Sequence, residues 1–247
     1  ILRCLVGSEM CIRDRDANKM ERLQRMIRPF ILRRLKGDVL KDLPEKIEEN
    51  VFARLDGEQM QLYDAYATRM KEMLSQQNEK EFHKGRMQIL SELTKLRQLC
   101  CDPGLLLEDY HGESAKTDMC MELIVNAVGA GHKILLFSQF TSMLDRLTER
   151  LKKEGIDYYL LTGSVNKEKR MQMVESFNND DVPVFCISLK AGGTGLNLTS
   201  ADIVIHYDPW WNVAAQNQAT DRAHRIGQTR TCLLYTSPSP RDISGSR

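Results

Sequence analysis

Residues 167–206 read KEKRMQMVESFNNDDVPVFCISLKAGGTGLNLTSADIVIH. A helix-like segment, Lys167–Phe177, leads into the apolar run Val184-Phe185-Cys186-Ile187; a glycine-rich loop follows, then a second run, Ile203-Val204-Ile205-His206. The same grammar extends outward. Thr117–Val128 precedes Ile134-Leu135-Leu136-Phe137, Met143–Lys153 precedes Tyr158-Tyr159-Leu160-Leu161, and helix-like Val213–Ala223 closes the series. Four-residue apolar runs separated by helices are the signature of parallel strands covered on both faces. The expected fold is therefore α/β, a doubly wound parallel sheet with flanking helices. In such sheets ligands gather at the carboxyl ends of strands, which points to the loops after each run.

Before residue 110 the pattern is helical. Met20, Leu23, Met26 and Ile27 recur at helical spacing before the breaker Pro29, with Phe30 and Ile31 just beyond it, and Leu35–Lys46 runs past a second stop at Pro44. Gly57–Gln76 carries Met60, Tyr63, Ala67, Met70, Met73 and Leu74; Ile89, Leu93, Leu96, Leu99 and Cys100 repeat the period up to Pro103-Gly104. These stripes read as helix-bundle core, and Arg28, Arg33, Arg34 and Lys36 as a solvated face.

Composition excludes several classes. Of 247 residues, 42% are hydrophobic and 28% charged, which rules out a disordered or collagen-like chain. No run approaches the roughly 18 apolar residues of a transmembrane helix. With 35 Lys and Arg against 34 Asp and Glu the net charge is +1, so any nucleic-acid contact must be a local groove. Seven cysteines, an odd count with Cys100 and Cys101 adjacent and no zinc-type spacing, indicate a reducing compartment.

Both ends read as foreign. Cys232–Asp242 back-translates to a string resembling a transposon-based sequencing-library adaptor, and the reverse complement of that adaptor encodes Leu5–Asp14. Residues 1–15 and 232–247 are accordingly set apart as adaptor-derived. This leaves a helical region over 16–110 and an α/β domain over 115–231.

Three constellations carry chemistry. In Ser188-Leu189-Lys190-Ala191-Gly192-Gly193-Thr194-Gly195-Leu196-Asn197-Leu198-Thr199, three glycines in four residues let backbone amides approach phosphate oxygens, with Ser188, Lys190 and Thr194 as further donors. A plain turn is the competing reading. In Gln218-Ala219-Thr220-Asp221-Arg222-Ala223-His224-Arg225-Ile226-Gly227-Gln228, the two arginines are three apart and project to one face of a helix or its last turn. Paired guanidiniums there suit a polyphosphate, or simply complement the helix dipole. His206-Tyr207-Asp208-Pro209-Trp210-Trp211-Asn212 ends a strand with both tryptophans, which serve either as core or as a surface against nucleic acid. Ser138 and Gln139, in Phe137-Ser138-Gln139-Phe140, bind phosphate or cap helices equally often.

Together FSQF, LLTGSV, SLKAGGTGLNLTSAD, HYDPWWN and QATDRAHRIGQ resemble the second RecA-like lobe of Swi/Snf-family ATPases, helicase-like DNA translocases. Arg28-Pro-Phe-Ile-Leu-Arg-Arg, Leu43-Pro-Glu-Lys and Leu96-Arg-Gln-Leu-Cys resemble the family's brace and helical insertion. Asp102-Pro103 departs from the family's usual His-Pro. The resemblance implies a composite site for ATP with Mg2+, shared between two lobes. A first lobe supplies the phosphate loop, its lysine and the metal-binding acidic box, and none of those motifs occurs here.

The second lobe, by the same resemblance, supplies arginine fingers at Arg222 and Arg225, supported by Gln218 and Asp221. Gly195 and Asn197 match the loop coupling nucleotide to DNA. Ser138, Gln139, Thr162, Ser188, Lys190 and Trp210 match positions along double-stranded DNA. No metal ligand is assigned. The implied partners are double-stranded DNA and an N-terminal RecA-like lobe of the same protein, with no membrane; the implied location is a bacterial nucleoid, or the nucleus in a eukaryote. Two other classes compete. A dinucleotide-cofactor domain using GGTG lacks an opening GxGxxG and a later acidic residue at a strand end. A non-enzymatic helical scaffold leaves the arginine pair unexplained.

Overall fold

The computed structural model describes residues 17–31, 43–75, 79–110, 112–189, 191, 195–210 and 212–237. The chain divides into two compact units, 1–42 and 43–247. In the first, helix α1 (Ala17–Ile27) gives way at Pro29 to a single 3-10 turn, Arg28–Phe30. Proline is tolerated in that first turn because its missing N–H has no partner there in any case. The stretch read as helix over Leu35–Lys46 falls mostly outside the described residues.

In the second unit, β1 (Lys46–Asn50) is followed by two long helices, α2 (Gly57–Ser75) and α3 (Glu79–Cys101). Met70 of α2 packs against Ile89, Leu93 and Leu96 of α3, with Tyr63, Tyr66, Ala67, Met73 and Leu74 around them. This is the expected bundle core. A 3-10 turn, Pro103–Leu105, ends α3. The α/β part then runs α4 (Ala115–Gly129), β2 (Ile134–Ser138), α5 (Thr141–Lys153), β3 (Tyr158–Leu161), α6 (Lys167–Asn179), β4 (Val184–Ser188), β5 (Ile203–His206), α7 (Val213–Thr220) and β6 (Cys232–Thr236).

The strands form one six-stranded sheet in the order β1-β6-β5-β2-β4-β3, with every pair parallel. Strands β2, β4 and β5 are buried along their whole length, as uninterrupted apolar runs require. Phe177 of α6 and Ala219 of α7 join one core with Leu135, Phe137, Phe185 and Val204. On the opposite face, Cys120 and Ile124 of α4 and Leu144 and Leu147 of α5 pack on Ile134, Leu136, Cys186 and Ile205. The fold is the RecA-like α/β sheet expected, with a helical region before it.

Two strands were not anticipated. β1 has the sequence KIEEN, lies at an edge and is exposed throughout, so no apolar alternation announces it. β6 uses Cys232–Thr236, residues set apart above as foreign, and buries Cys232 and Leu234 between β1 and β5. A strand slot selects alternating apolar side chains, so membership of the sheet does not bear on the origin of the coding DNA. Residues 1–15 and 238–247 lie outside the described residues.

Candidate functional site at the carboxyl edge of the sheet

Register brings the carboxyl ends of the strands into one row: Ser138 lies beside Ser188, Ile187 beside Leu161, and His206 between Phe137 and Thr236. The loops that follow β2, β3, β4 and β5 therefore open on a single edge. Ser138 and Ser188 end β2 and β4, and Gln139, Thr162 and Trp210 lie in the loops after β2, β3 and β5. Lys190, like Gly192, Gly193, Thr194 and Trp211, lies outside the described residues.

The hydroxyls at this edge shape their own loops. Ser138 is buried; its Oγ accepts from Phe140 N at 3.1 Å. Ser188 is also buried, and its Oγ accepts from Ala191 N at 3.3 Å. Thr162 Oγ1 pairs with Ser164 Oγ at 2.8 Å. Gln139 N donates to both oxygens of Asp208 at 3.1 and 3.2 Å, which ties the loop after β2 to the loop after β5. Burial pushes the Asp208 carboxyl above its ordinary range, opposed by the hydrogen bonds of Ser138 and Gln139 and the charges of Lys116 and Arg97. Trp210 is half-buried against the core, and its backbone N–H donates to Gln216 Oε1 at 3.2 Å.

The arginines sit on a turn, not a regular helix. Asn212 caps α7, its Oδ1 accepting from Ala215 N at 3.2 Å, and the helix ends at Thr220. Arg222 is then only 6% exposed, with Nε and Nη2 buried and lacking a partner among the described residues. Arg225 is exposed and donates from Nη1 to Leu196 O at 3.5 Å. The two side chains thus differ in environment, contrary to the shared face that their spacing suggests, because the helix stops before them. They remain electrostatically coupled: burial, then the charge of Arg225, lowers the affinity of Arg222 for its proton.

The exit of the glycine loop lies across this turn. Leu198 N donates to Arg222 O at 3.1 Å, and Asn178 Nδ2 of α6 donates to Asn197 O at 2.8 Å. Gly195 adopts a φ of +32°, a left-handed conformation that glycine takes without strain. So Gly195 and Asn197 are brought to Arg222 and Arg225, while Gln218 and Asp221 stand exposed on α7 and the turn.

Several supporting residues carried no assigned role in the sequence. Gln228 is buried and uses its whole amide: Nε2 donates to Ala201 O at 2.7 Å and Ala223 O at 3.4 Å, and Oε1 accepts from Thr229 N and Arg230 N, both at 2.9 Å. Gly227 reaches a φ of +103°, which turns the chain back. His206 Nε2 meets Thr220 Oγ1 at 2.9 Å, and that hydroxyl also donates to Gln216 O. One hydroxyl proton cannot serve both bonds, so Nε2–H is the donor to Thr220 Oγ1. Its Nδ1 is buried without a partner among the described residues, and burial pushes the imidazole pKa down to about 4, which keeps the ring neutral. Gln228 stood inside the quoted arginine motif and His206 inside the tryptophan motif; only packing distinguishes their roles.

The buried, unpaired guanidinium of Arg222 fits an anionic group such as a phosphate. Among the described residues no group of three or more His, Cys, Asp or Glu is placed to hold a metal ion. A parallel sheet whose carboxyl edge presents a glycine loop against an arginine turn defines a RecA-like lobe. Residues 115–227 match the helicase conserved C-terminal domain, and residues 6–105 match the SNF2-related domain. The C-terminal domain of the Sulfolobus solfataricus SWI2/SNF2 ATPase is 31% identical, with a TM-score of 0.65 over 81% of this chain and 84% of that one. The ATPase core of the same organism's protein, solved with double-stranded DNA, is 36% identical with a TM-score of 0.67, over 88% of this chain and 46% of that one. A putative ATP-dependent helicase/translocase of Bacillus subtilis is 41% identical over 88% of this chain and 24% of its own length. The chain belongs to the Swi2/Snf2 family of helicase-like ATPases. It spans between 20% and 24% of three curated bacterial relatives.

Proposed function

We propose that the chain is the second lobe of an ATP-dependent double-stranded DNA translocase and is inactive by itself. The observation that carries this reading is Arg222, a cation withdrawn from water with two nitrogens that have no partner among the described residues. An unpaired buried charge costs several kcal/mol, and is sensible only where an anion arrives to meet it. Magnesium-bound ATP, held mainly by the other lobe, supplies the phosphoanhydride that is cleaved.

Arg222 and Arg225 meet the charge that spreads over the transferred phosphoryl oxygens, a contact made only when the lobes close. Gln218 and Asp221 orient the turn from its outer side. Gly195 and Asn197 connect it to the loop after β4, so that closure is felt at the DNA edge. Ser138, Gln139, Thr162, Ser188, Lys190 and Trp210 form that edge, against the sugar-phosphate backbone. Backbone contacts position a duplex without reading its sequence, as a motor that moves along any DNA requires. The family and the double-stranded DNA held by an archaeal relative support this assignment. Location follows the DNA, in a nucleoid or a nucleus. The partner of this lobe is an N-terminal RecA-like lobe of the same protein, and residues 1–15 and 232–247 derive from adaptor sequence.

The test is ATP hydrolysis with and without duplex DNA, in a two-lobe protein carrying this lobe and in the isolated chain. DNA-stimulated turnover is expected in the first and none in the second. Hydrolysis by the isolated chain above a no-protein control, with contaminating ATPases removed, would overturn the split-site reading.

A further inference from the structure

The end of the helical insertion is joined by side-chain hydrogen bonds to the edge that carries Gln139 and Pro209. Arg97, near the end of α3, donates from Nη1 to Gln139 Oε1 at 3.3 Å and from Nη2 to the carbonyl of Pro209. Its two acceptors lie in different loops, the one after β2 and the one after β5. A third tie sits beside it, where Tyr207 OH donates to Cys101 O of α3 at 2.7 Å. Leu99, Cys100 and Cys101 are buried, so the end of α3 is fixed in place by packing as well.

The bond to Oε1 also sets the polarity of the Gln139 amide. A carboxamide has one acceptor end and one donor end, and Arg97 occupies the acceptor end. The donor end, Nε2, is buried with no partner among the described residues. Phosphate oxygens accept and never donate, so only this orientation suits a DNA backbone. We infer that Arg97 is a positioning residue: by occupying the acceptor end of the Gln139 amide it reserves Nε2 as the donor for a backbone phosphate that reaches this loop, and it clamps the Pro209–Trp210 loop beside it. This rests on the DNA-edge assignment above.

The experiment measures binding of a fluorescent random-sequence duplex to this chain over a salt series. Arg97→Ala should weaken binding roughly 10-fold, the worth of a hydrogen bond to a charged group. Gln139→Met should cost about as much, and the double variant no more than either alone. Arg97→Lys should fall between, since one ammonium on a flexible stem reproduces the planar fork poorly. The slope of log K against log salt should not change in any of these. A slope shallower by about 0.9 in Arg97→Ala means that Arg97 itself touches a phosphate, which overturns the positioning role; so do additive losses, or wild-type binding by Gln139→Met. If Arg97→Ala does not fold, Arg97→Lys and Gln139→Met decide. Failure of the wild-type chain to bind the duplex at low salt overturns the DNA-edge assignment together with this inference, whereas wild-type binding that ignores both positions overturns this inference alone.

Discussion

Arg222 and Arg225 stand three residues apart in different media, one withdrawn from water and the other exposed. In a two-lobe protein, Arg225→Ala should lower DNA-stimulated turnover by roughly 10³-fold, the lower end for such fingers. Lys at this position should rescue poorly, because a point charge cannot present the planar fork. Near-normal turnover in a folded Arg225→Ala protein would return the pair to mere dipole complements. For Arg222 the isolated chain gives a second readout. Replacing an unpaired buried guanidinium by Met should stabilise the lobe by on the order of 1 kcal/mol, seen as a higher thermal midpoint, while abolishing stimulated turnover. A lower midpoint would make Arg222 a structural member. His206 titrates the same region. Its folded pKa of about 4 lies below the ordinary 6.5, so the unfolded chain binds the proton more readily. The stability it contributes is complete above about pH 6.5 and is lost as pH falls toward 4. Urea unfolding across that window should show a decline on the order of 3 kcal/mol, and His206→Gln should flatten it.

At the scale of elements, the end of α3 is secured by the residue that departs from the family's usual His-Pro. Asp102 is buried; its Oδ1 caps the Pro103–Leu105 turn at Gly104 N, 2.8 Å away, and its Oδ2 accepts from Arg146 Nε of α5 at 3.0 Å. The side chain of Arg146 also crosses the space that a Cβ on Gly104 would occupy. Asp102→Ala removes a cap and half of a partly buried ion pair, and should cost about 2 kcal/mol in urea unfolding with an unchanged m value. Asp102→Asn, which keeps the cap, should cost less than half as much. The candidate site lies elsewhere, but the joint between helical and α/β parts depends on this residue. The unanticipated strands belong to this scale too. β1 is a charged edge whose partner alone makes it a strand, and edge strands commonly carry such residues to discourage further pairing.

For the whole molecule, the near-zero net charge and the loop edge together predict how the isolated lobe meets DNA. Binding should be weak, nearly indifferent to sequence, and should fall steeply with salt as phosphate contacts release counterions. A strong preference for one duplex at constant salt would mark a sequence-reading regulator instead. Much of this was legible in the chain. The buried strands announced themselves because a parallel sheet covered on both faces needs unbroken apolar runs, and Val184–Ile187 or Ile203–Ile205 can satisfy little else. The glycine loop and the arginine turn were legible because phosphate chemistry restricts residue types. What spacing could not convey is the company that each side chain keeps. Local sequence determined the helices and the buried strands of the α/β part, their order, and the carboxyl edge as the place of the candidate site, since those follow from periodicity and from the right-handed connection of parallel strands. Only the tertiary structure decided that α7 ends before Arg222, that the loop after β4 lies across the arginines, and that Arg97 reaches Gln139 across 42 residues. Those are consequences of burial and of long-range hydrogen bonding, which are properties of the packed chain and of no segment alone.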